Sequence, residues 1–135
     1  MKRIISLILT LILYLFSFAG CDKSENNNNL IEPTYERITA VQAKKLMDSE
    51  KDYIILDVRT EEEFNEGHIE EAILIPDYEI SEKAETMLPD KDQLILVYCR
   101  SGRRSKEAAD KMVKLGYTNI VEFGGIIDYT GEIEK

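Results

Sequence analysis

The chain has 135 residues, 44% of them apolar, with 17 basic residues against 26 acidic ones and a net charge of −9. That composition allows one modest core and makes nucleic acid an unlikely partner. Two cysteines, Cys21 and Cys99, are too few for a disulfide framework or a zinc site, and a single Cys21–Cys99 bridge would tie a flexible end to a loop. Each cysteine is therefore read singly.

Lys2 and Arg3 precede an apolar run from Ile4 to Phe18, which gives way to Ala19-Gly20-Cys21. The run is about 15 residues, short of the roughly 20 that span a bilayer, and small residues stand where a signal peptidase cuts. Residues 1–20 read as a signal segment, with an uncleaved anchor helix as the alternative. Phe18-Ala19-Gly20-Cys21 resembles the lipobox of bacterial lipoproteins, with Phe18 where Leu is commoner. The resemblance implies that Cys21 is diacylated, becomes the first mature residue and anchors the protein stably at the cell membrane, outside the cytoplasm. Residues 21–34, with four consecutive asparagines and Pro33, read as a polar tether with no apolar area to bury.

From 35 to 135 the chain alternates short apolar runs with amphipathic segments, which predicts an α/β domain with a mostly parallel central sheet and helices on both faces. Thr39 and Gln42 have capping-box spacing, and Ala43, Leu46 and Met47 continue a helix that ends near Asp48. Tyr53-Ile54-Ile55-Leu56 reads as a strand covered on both faces and stopping at Asp57. Thr60 and Glu63 open a second helix, which Gly67 closes. Ala72 to Ile75 reads as a strand and Ile80 to Leu88 as a short helix. Leu94 to Tyr98 is the clearest buried strand and delivers Cys99 to its tip. Ala108, Ala109, Met112, Val113 and Leu115 form a helical stripe ended by Gly116, Ile120 and Val121 fit a last strand, and Gly124-Gly125 marks a turn. Asp57 and Cys99 both stand at carboxyl ends of strands, where open α/β sheets bind ligands.

Cys99-Arg100-Ser101-Gly102-Arg103-Arg104-Ser105 lies between a strand and a helix. Backbone N–H groups converging there, with Gly102 permitting the turn, make an anion nest. Backbone, helix dipole and three arginines together favour a thiolate. Arg100, Arg103, Arg104 and Lys106 crowd a helix start, where the dipole disfavours each cation by roughly 0.3–1 kcal/mol. Positive charge placed against the local preference, in an acidic chain, points to a functional site. A buried, inert cysteine beside a solvated basic helix start is the bland alternative.

That loop resembles the active-site loop of single-domain rhodaneses, which transfer sulfane sulfur. Leu56-Asp57-Val58-Arg59, Glu63-Phe64, Gly67-His68-Ile69 with Ala72, Ile75-Pro76 and Gly124-Gly125-Ile126 follow in the family's order, over nearly everything from Tyr35 to Tyr129. Glu71 stands where the family usually has Gly, and Tyr129 where a Trp is common. Related phosphatases and arsenate reductases place an Arg after five intervening residues, whereas here that position is Ser105 and Arg104 comes one residue early. The tighter loop is the one that the family associates with sulfur.

The resemblance implies a sulfurtransferase in which Cys99 takes sulfur from thiosulfate or a persulfide or polysulfide, holds it as a persulfide and passes it to a thiophilic acceptor. Arg100, Ser101, Gly102, Arg103, Arg104 and Ser105 would form the binding loop, with Asp57 and Arg59 as further site-lining residues. No metal or organic cofactor is implied. The expected partners are a small sulfur-containing anion or persulfide donor, a thiol acceptor that a protein could carry, and the membrane through the lipid anchor. His68, the one histidine, is read as structural, since a nest-activated cysteine requires no general base. A rhodanese-fold binding or redox-sensing module without turnover is the rival reading.

Overall fold

The computed structural model describes residues 34–135. The expectations for the signal segment, lipidated Cys21 and the tether up to Pro33 lie outside the described residues.

In chain order the elements are β1 (Glu36–Arg37), α1 (Ala40–Ser49), β2 (Tyr53–Asp57), α2 (Glu61–Glu66), β3 (His68–Ile69), β4 (Ile73–Leu74), α3 (Ile80–Met87), β5 (Leu94–Cys99), α4 (Arg103–Lys114), β6 (Ile120–Gly125), a 3-10 turn (Ile126–Asp128) and β7 (Ile133–Glu134). Five strands form one sheet in the order β1-β6-β5-β2-β4, and every pairing in it is parallel. β3 and β7 make a separate antiparallel pair.

Both capping boxes read from the sequence form. Thr39 accepts from Gln42 N–H and Thr60 from Glu63 N–H, while each partner's side chain returns to the cap backbone. β6 runs on through Gly124 and Gly125, where the sequence suggested a turn. The reason lies across the sheet: Gly125 pairs with Cys99 after an irregularity between Val97 and Cys99. β1, β3 and β7, two residues each, carry too little pattern to be read from sequence.

Alternation along β5 assigns the two faces. Ile95, Val97 and Cys99 pack with Ile80, Ala84 and Leu88 near α3 and with Ala108, Ala109 and Met112 of α4. Leu96 and Tyr98 pack on the other face with Ala40, Ala43 and Met47 of α1 and with Phe123. The period of two therefore aims Cys99 at the start of α4.

Candidate active site at the tip of strand β5

α4 begins without a side-chain cap, and its N-cap position is Gly102 at φ 107°, a left-handed conformation that glycine adopts without steric cost. The unpaired N–H groups of a helix start need an acceptor, and here the Cys99 sulfur supplies one. Gly102 N–H donates to Cys99 Sγ at 3.0 Å, and Cys99 Sγ lies 3.4 Å from Ser105 Oγ. Burial pushes the Cys99 thiol up. The Ser105 hydroxyl, which is free to turn its hydrogen toward a thiolate, and the N–H groups of Ser105, Gly102 and Ser101 favour the ionised sulfur and outweigh burial, so the net shift is downward.

The last residues of β6 hold this loop from beneath. A Cβ on Gly125 would lie 1.9 Å from the Arg100 carbonyl oxygen, and one on Gly102 would lie 3.3 Å from Gly124 Cα. The paired glycines thus allow the backbones of β6 and the cysteine loop to touch.

The arginines are distributed differently from the sequence-based picture of three guanidinium groups encircling the thiol. Arg104 makes a two-pronged contact with Glu63, at 2.7 and 2.8 Å. Arg103 pairs with Glu107 at the surface, and Arg100 is exposed. Carboxylates on α2 and α4 neutralise two of the three charges that crowd the helix start. Arg104 stays coupled to Cys99, whose charge adds to the upward shift of its guanidinium, after the larger contribution of Glu63. The nest around the sulfur is therefore backbone and hydroxyl in character, with Arg104 beside it.

Asp57 and Arg59 are buried and turned toward each other. Arg59 Nη2 donates to Asp57 Oδ2 and to the Gly67 carbonyl, both at 2.7 Å. Tyr98 donates its hydroxyl to Asp57 Oδ2 at 2.5 Å and accepts from Ile69 N–H. Burial and the Asp57 charge push the Tyr98 phenol strongly up. These groups tie the tips of β2 and β5 to the Gly67-His68-Ile69 turn instead of facing the cysteine loop. His68 stacks on Phe64 at 3.6 Å between ring centroids, and its ring nitrogens meet the Phe64 carbonyl and Glu134.

The Rhodanese-like domain family matches residues 39–130. The chain belongs to the rhodanese-like family. Thiosulfate sulfurtransferase PspE of Escherichia coli (strain K12) is 38% identical over 73 residues, 54% of this chain and 70% of that protein. The putative sulfur carrier protein YrkF of Bacillus subtilis (strain 168) is 34% identical over 116 residues, 85% of this chain and 59% of that protein. A solved structure described as rhodanese with anions from E. coli superposes with a TM-score of 0.59 at 35% identity, covering 62% of this chain and 98% of that one. These relatives associate the fold with sulfur transfer in general.

Within this rhodanese-like domain the two departures from the family's usual residues have structural readings. Glu71 has φ 64°, so it occupies a glycine-type conformation with a side chain. Tyr129 packs toward Phe123, 6.3 Å between ring centroids, and points its hydroxyl at Met47 Sδ.

Glu122 is the polar residue that the sequence reading missed. It is 1% exposed and its Oε1 accepts from Ser105 Oγ at 2.6 Å and from Gly124 N–H at 2.9 Å. Arg37 Nε reaches its other oxygen at 3.1 Å. The available signal was a carboxylate inside the apolar run Ile120-Val121-Glu122-Phe123. Among the described residues no buried side-chain polar atom lacks a partner.

Proposed function

We propose that this chain is a sulfurtransferase that moves sulfane sulfur from a small anionic donor, thiosulfate or a persulfide or polysulfide, to a thiophilic acceptor through a persulfide on Cys99. One observation carries this reading: the Cys99 sulfur takes the place of a helix cap, facing N–H groups at the start of α4. Donors that lower the thiol's pKa also suit the terminal sulfur of a persulfide anion. The E. coli relative described as rhodanese with anions supports a negatively charged substrate.

In the cycle, the Cys99 sulfur bonds to the outer sulfur of the donor, whose sulfur–sulfur bond breaks and, for thiosulfate, releases sulfite. An acceptor thiol, on a small molecule or a protein, then removes the outer sulfur, giving ping-pong kinetics. Arg100, exposed at the loop, and Arg104, coupled to Cys99, draw the anionic donor in. No metal or organic cofactor takes part.

The purified protein incubated with thiosulfate is expected to gain the mass of one sulfur, and Cys99→Ser to gain none. Cys99 is only 1% exposed, and this favours a second reading: a rhodanese-fold binding or redox-sensing module without turnover. Failure of several sulfane donors to leave an adduct would select it.

The N-terminal residues support a location for this chemistry outside the cytoplasm, with the domain anchored to the cell membrane by acylated Cys21. Cells fed a labelled fatty acid are expected to label the wild-type protein and not Cys21→Ser; label persisting in the variant refutes the anchor.

A further inference from the structure

Glu122 faces the sulfur site from below, in a strand otherwise built of apolar residues and glycine. Ser105 stands between them, 2.6 Å from Glu122 Oε1 and 3.4 Å from Cys99 Sγ. A serine has one hydroxyl hydrogen, and the shorter contact to a carboxylate is the stronger claim on it. The hydroxyl oxygen then shows a lone pair to Cys99, whose S–H donates to it. Thiol, hydroxyl and carboxylate form a continuous path for a proton within a region that is 0–1% exposed at all three residues.

We propose that Glu122 takes up the Cys99 proton through the Ser105 hydroxyl as the persulfide forms, and returns it when the sulfur leaves. This rests on the sulfur-transfer reading of Cys99 and adds the fate of its proton. The Cys99 S–H bond breaks, its proton passes to Ser105 Oγ, and the proton that Ser105 carried passes to Glu122 Oε1. The freed electron pair on Sγ forms the bond to the outer sulfur of thiosulfate. The bond from that sulfur to the sulfite group breaks, and sulfite departs with its electron pair. A thiol, a carboxylate and a dianion become a carboxylic acid, a persulfide anion and a dianion, so charge is conserved.

The physical reason is repulsion between buried charges. An anionic persulfide two hydrogen bonds from a carboxylate would place two negative charges in one water-poor region. A proton held on Glu122 removes one of them, and Ser105, now donating toward sulfur, stabilises the other. The charged groups around Glu122 leave room for this. Arg37 from β1 is its cationic partner but is 59% exposed, so water screens it. Tyr35, shifted upward by burial, then Asp110 of α4, then Glu122, adds no positive charge, and Arg104 is committed to Glu63. The Gly124 N–H remains as a neutral donor to Oε1. Glu122 acts on Cys99 only through Ser105, as a positioning residue that also stores a proton.

Infrared difference spectra of the full-length protein, recorded with intact mass as thiosulfate is added, test the idea. The carbonyl stretch of an un-ionised carboxylic acid is expected to grow in step with the added sulfur and to vanish when a thiol removes it. Glu122→Gln and Ser105→Ala are expected to lose that band and to form the persulfide roughly 10²-fold more slowly, as loss of positioned proton transfer implies. A wild-type persulfide formed at full yield without the band overturns the relay and leaves the sulfur-transfer reading standing. So does a Ser105→Ala protein that keeps both band and rate. A wild-type protein that gains no sulfur removes the sulfur-transfer reading itself, and the relay with it. Should Glu122→Gln fail to fold, Ser105→Ala decides, since it keeps the carboxylate and breaks the path.

Discussion

Glu71 holds a left-handed φ of 64°, a conformation costing a residue with a Cβ roughly 1–2 kcal/mol. The turn from β3 to β4 needs it, because Ala72 N–H closes back onto the Ile69 carbonyl at 2.9 Å. Glycine would relieve the strain and lose part of the gain through its freer unfolded chain. Glu71→Gly is expected to stabilise the protein by about 0.5–1 kcal/mol, read as a higher midpoint in urea with an unchanged slope. Cys99 is a different kind of residue-scale case. Its burial alone would raise the thiol pKa, and local hydrogen bonds from its own loop reverse the sign.

At the scale of elements, the cysteine loop depends on β6 as much as on α4. Gly125 sits beside Cys99 in register, and a methyl group there would enter the Arg100 carbonyl. Backbone cannot yield as a flexible side chain does, so Gly125→Ala is expected to cost on the order of 1–3 kcal/mol. The same change is expected to abolish sulfur uptake from thiosulfate, because the loop must lift away from its seat. Thermal unfolding and intact mass measured on one sample check both parts. A variant that unfolds at the wild-type temperature and takes up sulfur normally would show that the close approach is dispensable.

At the scale of the whole molecule, Glu63 joins α2 to α4. It closes the capping box at Thr60 and clasps Arg104. Hydrogen bonds from Arg104, working against burial and helped by Thr60, hold its carboxyl at about 2 instead of 4.5. A carboxylate lowered by folding contributes stability that is complete above the unfolded value and disappears as pH falls toward the folded one. The contribution is therefore present above about pH 4.5 and fades down to about pH 2. Because the pair is partly exposed, it is worth on the order of 1 kcal/mol. Wild type is expected to exceed Glu63→Gln by that margin at neutral pH in chemical denaturation, with the gap closing through the acid range.

The sequence by itself determined which segments became the longer helices and strands. Capping pairs such as Thr39 with Gln42, apolar runs such as Leu94 to Tyr98, and helix-ending glycines are local signals whose energies act within a few residues. It also placed Cys99 at a strand tip before a helix, because the periods of two and 3.6 meet at that loop. Only the tertiary structure decided who serves the sulfur. Parallel pairing sets Gly125 of β6 beside Cys99 of β5, the packing of α4 on β6 brings Ser105 to Glu122, and Arg104 is drawn to Glu63 on another helix. Charge can be counted in a sequence, but its partner depends on which elements fold side by side.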